Sequence, residues 1–371
     1  MSVAALAATA AACAERSERE RTLAPEVVEG LRAADLFRVC VPRAIGGAEA
    51  PPLELVEAVE ELARADASAG WCLAVTATSG LVAAYLDEDV AREIYGEPGV
   101  AVGGVFAPRG RAVGSDGRLE VSGRWAFASG SGFCDWLMGG CITQIDRQPD
   151  EPRLVLFPRA DVEILDTWDV SGLRGTGSND IAVDGLAVPV ERSAAVIGAA
   201  PRAAGPLYAF PLFGLLAAAI AGVTLGVARA AMDDLLELAG AKKPEGSRRL
   251  LGERSAVQAE VARAEASLRA ARGLLVGALA RGYEHADSGA GVTTDDRMAV
   301  RLASTHAARS AAAVVDACYE LGGGSSIYAT SPLQRRFRDV HAATQHMLVS
   351  RSTLELTGRL LLGMPTDVSQ L

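Results

Sequence analysis

Four histidines, six cysteines and two adjacent lysines are where a 371-residue chain of this composition could do chemistry. The histidines are His285, His306, His341 and His346, and no pair has the HxxxH or HExxH spacing that puts two imidazoles on one helix face for zinc. Cys13, Cys40, Cys72, Cys134, Cys141 and Cys318 form no CxxC pair, so they read as reduced thiols of a cytoplasmic protein. Lys242 and Lys243 sit in a Gly/Pro-flanked stretch and follow no glycine-rich loop, which leaves no P-loop. Asp87-Glu88-Asp89 reads as the start of a helix, where carboxylates meet the positive end of the dipole. Ser129-Gly130-Ser131-Gly132 lacks the GxSxG order of a hydrolase elbow, and Gly175-Thr176-Gly177 opens no GxGxxG dinucleotide turn. A neutral imidazole remains the most versatile group, since His can donate, accept or carry a proton near neutral pH.

The elements that must position these groups fall into three zones. Residues 1–98 read as an N-terminal α-helical domain. A first helix begins near Val3, another at Pro25, a third near Pro52 with Leu55, Val56, Val59 and Leu62 on one face, and a fourth near Ser68 that carries Trp71. Residues 99–204 read as a central β domain. Asp116-Gly117 is a hairpin dipeptide, and Asp184-Gly185 a second one between Ile181–Val183 and Leu186–Val188. Short strands with frequent turns predict an antiparallel barrel or sandwich. Residues 205–371 read as a C-terminal four-helix bundle, over about Leu212–Leu238, Gly252–His285, Asp295–Leu321 and Pro332–Leu362. The fold class is therefore α+β, in the order α, β, α-bundle.

Composition narrows the function classes. Half of the residues are hydrophobic and the formal net charge is −10, which excludes wholesale disorder and argues against nucleic acid as a partner. The uncharged run Ala203–Ala228 is long enough for a bilayer, yet Pro206, Pro211 and its Ala/Gly content fit a helix buried in a bundle, so no membrane association is expected.

Several segments together resemble one known superfamily. Ser122-Gly123-Arg124-Trp125-Ala126-Phe127-Ala128-Ser129-Gly130 followed by Asp135-Trp136, and Val105–Gly110, are similar to the β-domain motifs of flavin-dependent monooxygenases with the acyl-CoA dehydrogenase fold. Gly172-Leu173-Arg174-Gly175-Thr176-Gly177-Ser178 through Val188-Pro189 is similar to that superfamily's "GLRGTGS … VP" segment. Ala217–Ala230 and Arg335–His346 resemble the first and last bundle helices, and Val41-Pro42 with Gly46-Gly47 fits the N-terminal region.

The resemblance implies a reduced-flavin-dependent, two-component monooxygenase that hydroxylates or N-oxygenates a small organic substrate through a C4a-hydroperoxyflavin. It also implies FMN or FAD as cofactor, molecular oxygen as co-substrate, a separate flavin reductase as partner and a homotetrameric state. By the same resemblance, His346 and Ser129 are the catalytic candidates. Trp125, Phe127 and Ser129 would flank the flavin ring. Arg249 would meet its phosphate, and Gly322 and Gly323 the flavin of a neighbouring subunit. Trp71 and Ser79 would face the substrate, Ser79 standing where several hydroxylases of this branch carry a histidine. Met347 stands where dehydrogenases of the superfamily place their catalytic Glu, which favours the oxygenase branch. The alternatives are an acyl-CoA dehydrogenase with a non-standard base and a flavin-free binding homologue.

Overall fold

A computed structural model describes residues 2–145 and 150–371. The N-terminal helices are α1 (Val3–Glu20), α2 (Pro25–Ala33), α3 (Pro52–Ala65), α4 (Ala67–Ser79) and α5 (Glu88–Tyr95). Proline opens both α2 and α3, where its missing N–H costs nothing. Asp66 caps α4 by accepting from the Ser68 N–H at 3.1 Å. Almost every residue of α4 is buried, so this helix forms the centre of the region and holds Trp71 in a fixed place.

Seven strands follow: β1 (Val102–Ser115), β2 (Arg118–Trp125), β3 (Trp136–Ile145), β4 (Glu151–Pro158), β5 (Glu163–Leu165), β6 (Asp180–Pro189) and β7 (Ser193–Ala194). They form one sheet in the order β5-β6-β2-β1-β3-β4-β7. The expected Asp116-Gly117 hairpin is present, both residues having positive φ (53° and 76°) as a tight I′-type turn requires.

Two expectations are corrected. The sheet is mixed rather than wholly antiparallel, and its end strands β5 and β7 are not paired with each other among the described residues. The cause is the segment Ala126–Asp135. It leaves β2 at the end where β1 begins and crosses to the far side of β1, so β3 runs parallel to β1, with Val102 opposite Trp136. Pro108, which has no N–H to give the ladder, sits where the β1–β3 register shifts. Asp184-Gly185 is likewise not a hairpin. It is a bulge inside the continuous strand β6, opposite the step between Val121 and Gly123, with the Gly185 N–H donating to Ser122 Oγ at 2.9 Å.

The C-terminal region holds α6 (Pro206–Ala209), α7 (Leu212–Ala241), α8 (Ser255–Asp287), α9 (Thr294–Gly322), α10 (Pro332–Ala343) and α11 (Arg351–Leu361). Ala67–Tyr85 and α7 are apolar and long enough to cross a bilayer, but both are largely buried in the protein, as core helices are. The last expected helix is broken. Thr344 Oγ1 and Gln345 Nε2 both donate back to the His341 carbonyl, at 3.1 and 3.2 Å, and the N–H groups of Gln345 and His346 take tighter i−3 bonds. His346 then adopts extended backbone (ψ 132°) before a short 3-10 turn over Met347–Val349. This histidine is therefore on a connector between α10 and α11, not inside a helix.

Candidate active site

The connector brings His346 against Trp71, their rings edge to face at 5.7 Å between centroids. Trp71 Nε1 donates to Ser129 Oγ at 3.0 Å, so α4, the crossing segment after β2 and the α10–α11 connector meet at one place. From Ser129 a chain of buried hydroxyls runs on, to Ser178 Oγ at 2.7 Å and from there to Thr176 Oγ1 at 2.6 Å; Thr176 donates to the Leu173 carbonyl at 2.8 Å. The ends fix the direction of every proton. The indole N–H can only donate and the carbonyl can only accept, so in this ligand-free arrangement Ser129 donates to Ser178 and Ser178 to Thr176. A ligand acceptor beside Ser129 would compete for that one hydroxyl hydrogen.

His346 is half-buried. Desolvation, then the positive charge of Arg301, pulls its pKa down to about 4. It is thus neutral at physiological pH. Its Nδ1 lies 3.3 Å from the Leu348 N–H and accepts from it, which leaves the ring proton on Nε2. The imidazole is accordingly presented as a hydrogen-bond donor. None of the carboxylates of the described residues hydrogen-bonds to Trp71, Ser129 or His346, and Met347 is 66% exposed with no acidic function to offer.

The aromatic residues of the crossing segment divide sharply. Trp125 is fully buried, its Nε1 donating to the Gly140 carbonyl at 2.7 Å. The ring lies on bare backbone: an added Cβ at Gly110, Gly123 or Gly139 would come within 2.3, 2.7 or 2.5 Å of it. Phe157 packs beside it, with 6.0 Å between ring centroids. The expectation that Trp125 contacts flavin is corrected on this ground, because no face of the ring is free. Phe127, two residues on, is 71% exposed and held at φ 68°, a conformation a bulky residue rarely adopts. It stands edge-on to Trp168 at 6.2 Å, and Trp168 is itself tied to the Leu173 carbonyl through its Nε1 at 3.2 Å. An exposed aromatic face fixed beside the Ser129 hydroxyl chain fits a planar ring such as isoalloxazine.

The remaining sequence candidates lie elsewhere or are already engaged. Ser79 is buried at the end of α4, its Oγ donating to the Val75 carbonyl at 2.8 Å. His341 faces Asp316 at 2.8 Å and lies edge to face against Phe337. Arg249 is exposed on the α7–α8 loop. That loop meets Gly322 and Gly323: Lys242 Nζ donates to the Gly322 carbonyl at 2.6 Å, and Gly323 turns the chain at φ 55°. Arg249 and the two glycines thus share one end of the bundle, remote from Phe213 at the other end of α7, a helix about 44 Å long between Phe213 and Lys242.

Sequence reasoning missed three contributors. Ser178 and Thr176 lie in a quoted motif, but their alternate spacing as a relay was not drawn from it. Arg301 is one of 34 arginines and carried no local signal.

The sequence matches the family models "Acyl-CoA dehydrogenase, N-terminal domain" over residues 2–93 and "Acyl-CoA dehydrogenase, C-terminal domain" over residues 218–351. It is 35% identical to indole-3-acetate monooxygenase of Pseudomonas putida, over 93% of this chain and 89% of that one. The chain belongs to the acyl-CoA dehydrogenase family, in its flavin-dependent monooxygenase branch. This monooxygenase is also 28% identical to the oxygenase component of the FADH(2)-dependent resorcinol hydroxylase of a Rhizobium species, over 95% of this chain and 90% of that one. Its fold superposes on the crystal structure of the HsaA monooxygenase from M. tuberculosis with a TM-score of 0.92, at 26% identity, covering 100% and 99% of the two chains. The monooxygenase is thus a flavin-dependent oxidoreductase.

Proposed function

We propose that this enzyme inserts one atom of molecular oxygen into a small aromatic substrate, using reduced flavin, FMN or FAD, supplied by a separate reductase. The observation that carries the reading is a neutral, donor-presenting His346 packed on Trp71, beside the Ser129 hydroxyl, with no carboxylate of the described residues hydrogen-bonded to any of the three. Aromatic substrates are supported by the relatives, whose names specify indole-3-acetate and resorcinol. A separate reductase is supported by the description of one relative as an oxygenase component.

Reduced flavin, when bound, supplies the electrons that activate oxygen. The chain supplies the surroundings. Phe127 offers a face for the ring, and Ser129 a hydroxyl hydrogen at its edge. His346 would offer its Nε2–H as a neutral donor to the reacting oxygen, and a fixed donor is worth most in a dry site. A proton on His346 itself would need pH near 4, so the site does not leak acid to the reaction at neutral pH. The missing carboxylate speaks against α-proton abstraction, the dehydrogenase chemistry.

Two further parts belong to this reading. Arg249, Gly322 and Gly323 share the end of the bundle remote from the first turn of α7, and a homotetramer in which they serve a neighbour's cofactor accounts for that place. Six free cysteines support a cytoplasmic location.

The test is to mix anaerobic enzyme carrying FMNH2, or FADH2, with oxygenated buffer containing indole-3-acetate or resorcinol, and to assay oxygen-labelled product. Label from 18O2 in the product is the expected result. Reduction of oxidised enzyme-bound flavin by an acyl-CoA without oxygen, and no labelled product, would overturn the proposal.

A further inference from the structure

Arg301 is 4% exposed and has no acidic partner. It stands on α9, and among the described residues no carboxylate lies within ion-pair distance of it. Its Nη1 makes one long bond, 3.3 Å, to the Phe213 carbonyl, and its Nε donates to nothing. Burial alone acts on it, drawing its pKa down to about 10. Buried guanidinium groups are normally paired, because leaving one unpaired costs several kcal/mol of uncompensated desolvation, as an order of magnitude. The other buried arginines of this chain obey that rule: Arg38 is bonded to Asp35 and three carbonyls, and Arg336 to Asp234. Arg336 also leaves its Nη1 without a partner, but among the described residues Arg301 alone of these three has no carboxylate.

Its surroundings favour an anion a second time. Phe213 lies in the first turn of α7, a 30-residue helix whose N-cap, Pro211, gives no side-chain cap and whose first turn carries no acidic residue. The guanidinium therefore lies beside that turn, whose free N–H groups and positive dipole end point away from the Phe213 carbonyl, toward the start of the helix. A small cavity abuts the same turn. It holds about 10 Å³, room for a single water, and its lining, which includes Leu81, Tyr85, Tyr208 and Leu212, contains neither Arg301 nor His346. The helix that carries Arg301 packs against the Met347–Val349 turn that follows His346, and the positive charge of Arg301 helps to lower the His346 pKa.

We propose that Arg301 is a specificity-determining residue that binds the carboxylate of an aromatic acid, seating the ring within reach of His346. The inference rests on the oxygenase reading for the identity of the site, but its test does not. Arg301 would form charge-assisted hydrogen bonds with the acid, and the first turn of α7 would add its dipole. The neutral amide of the same acid would leave the guanidinium unpaired and be rejected.

Calorimetric titration of the flavin-loaded wild-type enzyme with indole-3-acetate, phenylacetate and their amides reads this without turnover. The acids are expected to bind at least tenfold more tightly than the amides. Arg301→Gln is expected to weaken acid binding by 10- to 100-fold, leave amide binding within about threefold, and leave the affinity for reduced flavin unchanged; Arg301→Lys should restore part of the acid affinity. Equal binding of acid and amide by the wild type, or binding of neither, would overturn the inference. So would a loss of flavin affinity in Arg301→Gln, which would assign the guanidinium to the cofactor instead. Should the Gln variant not fold, the wild-type acid-to-amide ratio decides alone. Failure of oxygen insertion with normal acid selectivity would sink the oxygenase reading and leave Arg301 as an anion site.

Discussion

Trp125 and Phe127 are two residues apart in one motif, yet they belong to different kinds of structure. Trp125 is the last residue of β2, and its ring is closed in by the glycines of β1, β2 and β3. Phe127 is the first residue whose backbone leaves the sheet for the left-handed region, and its ring is left in the open. The difference teaches where stability ends and function begins in this enzyme. The sheet is held by an enclosed ring, and on the proposed reading the site starts at the turn where the chain accepts a strained conformation and an exposed aromatic face.

The comparison breaks cleanly under substitution. Trp125→Ala should cost about 3–5 kcal/mol of stability, since it empties a fully enclosed site. Chemical denaturation measures it. Phe127→Ala should move stability by less than about 1 kcal/mol but weaken flavin binding roughly three- to tenfold, the worth of one aromatic stacking contact. If Trp125→Ala instead spared stability and abolished flavin binding, the division drawn between the two rings would be wrong. Next in size comes the donor. His346→Ala should lower the rate of oxygen insertion by about 100-fold while reduced-flavin affinity stays within twofold. Unchanged turnover would remove His346 from the mechanism. The same variant has a pH signature. A native imidazole that resists protonation down to about 4 binds fewer protons than its unfolded counterpart with the ordinary value of 6.5. Wild-type stability is therefore lost as pH falls through that window, and His346→Ala should lose it less steeply.

Much of this was legible in the chain. The three zones, Pro25 and Pro52 as helix starts, and the Asp116-Gly117 turn follow from local rules that tertiary packing did not override. Ser129, Phe127, Trp71 and His346 were expected from the resemblance, and the structure bonds Trp71 to Ser129 and packs His346 on Trp71. What local rules missed depended on which partners the chain meets. Trp125 and Phe127 are equally aromatic, and only the glycines across the sheet decide which is enclosed. Asp184-Gly185 has a hairpin's composition but finds Ser122 opposite and becomes a bulge. The break before His346 needs Thr344 and Gln345 to turn back on the His341 carbonyl, a choice any such pair can make in either direction. Arg301 was invisible because an arginine's missing partner is a property of three-dimensional surroundings.

The smallest effect concerns how the Trp71 helix is anchored. Asp66 caps α4 through one oxygen, while its other oxygen is buried without a partner. Burial and the nearby Asp339 raise its pKa to about 6, against an ordinary 3.8. The native state therefore holds a proton that the unfolded chain has lost between about pH 4 and 6, so this residue makes stability fall as pH rises through that window, with the full penalty present above it. Asp66→Asn keeps an oxygen for the Ser68 N–H and removes the charge. It should melt a few degrees higher than wild type at pH 8 and at the same temperature near pH 4, with Trp71, and hence turnover, undisturbed. A lower melting temperature at pH 8 would mean that the carboxylate is paired after all, for instance with Arg335 or Arg336, whose charges oppose the rise. The near end of the site would then be held by an ion pair instead of by a tolerated buried charge, and its rigidity, like that of the Trp125 core, would come from satisfied groups alone.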